Sequence, residues 1–153
     1  MLIDGRSGSG KTELARDFAG AQIVHLDDVY PGWDGLDAAS AAVPGILTTG
    51  RWRAWDWRTS SPGPWHELDL TEPIVVEGVG AISRASRPLA DRAIWLEVDE
   101  PTRRRRALHR EPAFAVHWDR WAAQEESFIA REDPRGLASE VRRVEPWPRP
   151  SSP

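Results

Sequence analysis

Apolar positions along the chain follow two rhythms. Four short runs are apolar almost throughout: Met1-Leu2-Ile3, Ala21 to Leu26 (AQIVHL), Pro73 to Glu77 (PIVVE) and Ala93 to Val98 (AIWLEV). Runs of this length without polar alternation predict strands covered on both faces, as in a parallel sheet. Helical or loop segments lie between them: Lys11 to Ala19 stopped by Gly20, Gly35 to Val43, Arg87 to Arg92, Thr102 to Arg110, and a long amphipathic stretch from Ala115 to Arg131. In that stretch Trp118, Trp121, Glu125 and Phe128 recur at i, i+3, i+7 and i+10, a packing stripe with Glu125 near its edge. Strands alternating with helices predict an α/β domain built on a central parallel sheet between helical layers.

Two stretches break the rhythm. Residues 31–70 have no clean period and are rich in Gly, Pro, Trp and Arg, and a connection this long inside a compact domain is usually functional. After the long helix, GLASEVRRVEPWPRPSSP offers only Val141 and Val144 among charges, so a last apolar strand is not evident. The domain is expected to span residues 1–144, with a disordered Pro- and Ser-rich tail over 145–153.

Composition narrows the class. A length of 153 residues suits one domain, and no run is apolar for long enough to span a membrane. There is no cysteine, hence no disulfide and no thiolate metal site, which fits a cytoplasmic protein. A net charge of −4 argues against a general nucleic-acid binder, and nothing in the pattern sets an oligomeric state.

Chemistry enters between the first strand and the first helix. Residues 5–12, Gly5-Arg6-Ser7-Gly8-Ser9-Gly10-Lys11-Thr12, satisfy G-x-x-x-x-G-K-[ST] at every fixed position. Glycines let successive N–H groups turn inward onto a phosphate, the lysine reaches the β- and γ-phosphates, and the threonine hydroxyl ligates Mg²⁺. Lys11 is the only lysine in the chain; every other basic residue of the Lys+Arg set is arginine. A compact ammonium is therefore kept for the one place where it suits phosphates. The expected cofactors are ATP and Mg²⁺.

In such sheets ligands gather at the carboxyl ends of the strands. The polar residues there are Asp27-Asp28, Glu77 and Asp99. An Asn-Lys-x-Asp guanine-reading motif is impossible, because the single lysine is already used. Chain length and the carboxylate pair point to phosphoryl transfer onto a small-molecule acceptor.

GRSGSGKT, HLDDVYPGW, WRAWDW, VVEGVG and EVDEPTRRRRALHRE occur in an order that resembles the uridine kinase-like branch of the P-loop nucleoside and nucleotide kinases, over residues 1–132. The resemblance implies the three-layer P-loop NTPase fold, a substrate-side insertion at about 31–70 and a lid at about 101–114. It implies that Asp27 accepts the proton of the acceptor hydroxyl, with Asp28 as alternative base or metal associate, and that Tyr30 packs near the base. Glu77 would orient Mg²⁺ with Thr12. Trp55, Asp56 and Arg58 would wall and read the substrate; Trp57 is either a second ring stacking on it or, as read here together with Trp65, core filler. Arg106 and Arg110 would clamp the transferring phosphoryl group, with Arg103 in reserve. The activity implied is ATP- and Mg-dependent phosphorylation of the hydroxyl of a nucleoside or related metabolite. The alternative is a nucleotide-binding regulatory or degenerate kinase module without efficient catalysis.

Overall fold

Five parallel strands form the centre of the chain, which the computed structural model describes over residues 1–145. They are β1 (Leu2–Gly5), β2 (Gln22–His25), β5 (Ile74–Glu77), β6 (Ala93–Glu97) and β7 (Glu140–Arg143), in the spatial order β2-β5-β1-β6-β7. Every neighbouring pair is parallel. The expected disordered tail lies, from residue 146, outside the described residues.

The helices are α1 (Lys11–Arg16), α2 (Leu36–Thr49), α3 (Glu100–Arg110), α4 (Trp118–Glu132) and the single turn α5 (Pro134–Leu137). Alternate side chains of the central strand feed two cores. Leu2, with Val24 and Val76, packs among residues of α2 and α4 such as Val43, Trp121 and Phe128. Ile3, with Val75, Ile94 and Leu96, packs against Ala15 of α1. Successive strand residues point to opposite faces, so an apolar run with no polar alternation produces three layers.

Several elements differ from expectation. The first helix closes at Arg16, where turns from Leu14 and Ala15 carbonyls take the Asp17 and Phe18 N–H groups. The second runs on through Pro44 and Gly45 to Thr49, because Val43 and Ile46 are buried against the core and hold it past its breakers. Arg87–Arg92 contains only a 3₁₀ turn at Arg87–Leu89. The segment without period holds, besides α2, an antiparallel hairpin of β3 (Arg51–Asp56) and β4 (Ser61–Glu67), separate from the main sheet.

The last strand does form. β7 pairs with β6 from Ile94↔Glu140 to Glu97↔Arg143. As an edge strand it needs only one well-packed side, and its charges are paired: Arg92 with Glu140 at 2.7 Å, and Arg143 with Glu97 at 3.1 Å. Val144 packs against the second core. Among the described residues no helix is long and apolar enough to cross a membrane.

Candidate active site

The loop joining β1 to α1 is fixed from behind by three ionisable side chains. Arg103 of α3 is 4% exposed and donates from Nη1 to the Ser7 carbonyl at 3.2 Å and from Nε to the Val98 carbonyl at 3.2 Å. Glu125 of α4 is 1% exposed; it accepts the Ser7 N–H at 2.7 Å and Arg6 Nε–H at 3.1 Å. Asp4, fully buried at the end of β1, accepts the N–H groups of Gly5 at 2.7 Å and Ile82 at 2.9 Å. Burial pushes the Asp4 carboxyl up to about 7, against the pull of those backbone N–H groups and of Lys11. Gly8 has φ +81°, and a Cβ there would lie 2.1 Å from the Arg103 carbonyl oxygen, so only glycine lets α3 approach.

Held this way, the loop leaves its inner donors free. No acceptor among the described residues takes the backbone N–H of Gly8, Gly10, Lys11 or Thr12. Lys11 Nζ donates to the Arg6 carbonyl at 3.1 Å and lies 3.4 Å from Ser9 Oγ. Unpaired N–H groups beside a buried ammonium fit the phosphates of a nucleotide.

Thr12 Oγ1 donates to Glu77 Oε1 at 3.0 Å, and the same oxygen lies 2.6 Å from His25 Nδ1. Glu77 is 3% exposed, at the end of the strand adjoining β1. Among the described residues no three His, Cys, Asp or Glu side chains converge as a metal cage. Mg²⁺ asks for less: one or two protein oxygens, with phosphate and water completing six. Thr12 and Glu77, with Asp28 on the same cleft, are hard oxygen donors of that kind.

The cleft in front of the loop has a volume of about 420 Å³. Gly8, Gly10, Lys11, Thr12, Asp27 and Asp28 all face it, as do Tyr30, Glu77 and Arg110. Asp27 and Asp28 leave the end of β2 in a 3₁₀ turn, Leu26–Asp28. Burial, first, pushes the Asp28 carboxyl up, aided by the Asp27 charge and opposed by His25 and His66. Tyr30 is raised well above the usual phenol value by burial, then by surrounding carboxylates, so it remains a phenol and donates to the Val79 carbonyl at 2.7 Å.

The far wall is aromatic. Trp33 stacks on His117 at 4.0 Å and 13°, lies 5.4 Å and 17° from Phe114, and meets Trp121 at 84°. Trp57 meets Trp33 at 59° and donates its indole N–H to the Asp27 carbonyl at 2.8 Å.

Several expected site residues stand elsewhere. Trp55 lies on β3 outside the cleft, its indole N–H buried without an acceptor. Asp56 caps the hairpin turn by accepting the N–H groups of Arg58 and Thr59, at 2.9 and 3.2 Å. Arg58 is exposed on that turn and Arg106 is half-buried on α3; neither lines the cleft. Arg103 is a brace under the loop, not a free cation. Trp57, read as core filler, lines the cleft, and Trp65 is 57% exposed with Arg51 5.0 Å over its ring. Glu125 is no edge residue but the stripe's inward polar member. His25 on Glu77, and Phe114 and Trp121 on the cleft, were not expected at the site. Their signals were slight: a histidine two positions before Asp27, and aromatics spread over distant segments that only the fold brings together.

No family model matches the chain, and no curated protein matches it. Among solved structures, a possible uridine kinase from Bacillus stearothermophilus superposes with a TM-score of 0.58 at 20% identity, over 92% of this chain and 85% of that one. An uncharacterized protein from Eubacterium ventriosum superposes with a TM-score of 0.51 at 13% identity, over 94% and 86%. At these identities the likeness is one of fold. The five parallel strands, the glycine loop after the central strand and the flanking helices give this chain the α/β fold of the P-loop kinases.

Proposed function

We propose that the chain is an ATP- and Mg²⁺-dependent phosphotransferase that acts on the hydroxyl of a small molecule, the nucleoside class being the one its resemblance suggests. The observation that carries this reading is a single cleft onto which the phosphate loop, the Thr12–Glu77 pair and two strand-end carboxylates all open. When bound, Mg²⁺ would neutralise charge on the transferring phosphoryl group, held by Thr12 and Glu77 with Asp28 beside them. Lys11 and the free N–H groups of the loop hold the phosphates. Asp27 takes the proton from the acceptor hydroxyl, its backbone fixed by the Trp57 indole. Arg110, on the rim, faces the charge that develops on the transferred group. Catalysis here is positioning plus charge complementarity.

The test is ADP release from ATP and Mg²⁺ across a panel of nucleosides, nucleotides, sugars and amino alcohols, with Lys11→Ala and Asp27→Ala as controls. Acceptor-stimulated release that falls about 10²–10⁴-fold in Asp27→Ala supports the reading. ATP binding with no stimulation by any acceptor overturns it in favour of a nucleotide-binding module without efficient catalysis.

A further inference from the structure

We infer that the acceptor carries a compact cationic group, an amine or quaternary ammonium, which sits in a box made by Trp33, Trp57, Trp121 and Tyr30. The inference rests on the phosphotransferase reading for the hydroxyl it places near Asp27, and on the cleft itself for the cation.

Ring geometry is the first ground. A flat heterocycle is best held in a slot between two parallel rings. The parallel faces here are closed on each other: Trp33 is stacked on His117 at 4.0 Å, too near for any group to enter. Phe114, also on the cleft, lies 5.4 Å and 17° from Trp33, too near for a ring between them, and the other lining rings meet at steep angles, Trp33 with Trp121 at 84°, Trp121 with Tyr30 at 71° and Trp33 with Trp57 at 59°. Rings that meet at steep angles flank a small volume on more than one side, and a compact cation over a ring face is attracted by its quadrupole.

Two of the polar atoms of the box are already taken. The Tyr30 hydroxyl and the Trp57 indole N–H are both spent on main-chain carbonyls, of Val79 and Asp27. No Asn or Gln side chain lines the cleft, and Gln124 behind it donates to the Trp33 carbonyl.

Charge is the third ground. Asp27, Asp28, Glu77 and Glu111 line the cleft against Lys11 and Arg110. With Lys11 and Arg110 assigned to the phosphates and Glu77 and Asp28 to Mg²⁺, the lining charges left toward the acceptor are Asp27 and Glu111, which a cation offsets. An anionic acceptor is disfavoured, and Arg58, which lies outside the cleft, does not offset this.

Choline, serinol and kanamycin are suitable cationic probes; 3,3-dimethylbutan-1-ol, uridine and uridine monophosphate are the contrasts. Binding is read by quenching of tryptophan fluorescence without ATP, and turnover separately by ADP release. At least one cationic probe is expected to bind about tenfold or more tightly than every neutral or anionic one. Trp57→Phe is expected to keep that preference and Trp57→Leu to lose it; both remove the indole hydrogen bond, so the difference isolates the ring. Equal or better binding of the neutral isostere or uridine, or no binding of any cationic probe by a protein that binds ATP, overturns the inference. Cation binding without ADP release overturns the phosphotransferase reading alone, and ADP release driven by a neutral acceptor overturns the cation alone.

Discussion

Glu125 Oε2 accepts the Ser7 N–H at 2.7 Å, across 118 positions of sequence and with the carboxylate 1% exposed. A buried carboxylate that binds the back of a phosphate loop settles which of the loop's N–H groups face outward. Removing it leaves both the Ser7 N–H and the Arg6 guanidinium short of a partner. Glu125→Ala is therefore expected to lower stability by about 3 kcal/mol in urea unfolding. Glu125→Gln retains an acceptor for Ser7 and is expected to unfold at a higher urea concentration than the alanine variant while binding ATP more weakly than the parent.

Gly8→Ala tests the approach of α3. Its φ of +81° alone costs an L-residue about 1–3 kcal/mol. The added methyl would also meet the Arg103 carbonyl at 2.1 Å, which is backbone and has no easy way to yield. ATP binding by calorimetry is expected to fall at least tenfold or be lost, while Gly45→Ala, where a Cβ meets nothing, leaves binding unchanged.

The arginines of α3 should separate by position. Arg103→Ala is expected to cost about 2 kcal/mol of stability, through loss of charge-assisted bonds to the Ser7 and Val98 carbonyls. Arg110→Ala is expected to leave the unfolding midpoint unchanged and lower kcat. Arg106→Ala is expected to do neither, since the cleft does not include it.

Asp4 predicts a pH slope. Folded, its carboxyl keeps the proton up to about 7; unfolded, it releases it near the ordinary carboxylate value of about 4. Between these values the folded state binds more protons, so stability falls as pH rises from about 4 to about 7. Asp4→Asn is expected to flatten the curve over that window, as measured by urea midpoints at successive pH values.

The sheet was legible because its four apolar strands carry almost no polar interruption, and the loop because its chemistry fixes glycines and a lysine at set spacing. The hairpin was not, since β3 and β4 have charged and aromatic residues on both faces and a register shift between Arg53 and Trp55 that erases the two-residue period. The last strand was hidden for a related reason: at the sheet edge, ion pairs at Glu140 and Arg143 stand in for apolar residues. In the cleft, Asp27, Asp28 and Glu77 could be placed from topology alone, whereas Asp99, expected beside them, caps α3 by accepting the Thr102 N–H and does not line the cleft. Which tryptophans would face them could not, because Trp33, Trp57 and Trp121 sit on a loop, a hairpin turn and a helix whose mutual placement no local pattern encodes.

One helix, α4, carries Glu125 beneath the phosphate loop, Trp121 in the aromatic wall and Gln124 on the Trp33 carbonyl, all within about one and a half turns. The two ends of the cleft are thus cut from a single rigid strut. On the phosphotransferase reading, any descendant of this chain that alters its acceptor by tilting that strut would also retune its grip on the nucleotide, so new acceptors would be reached more readily by exchanging the hairpin turn around Trp57 than by remodelling the helix.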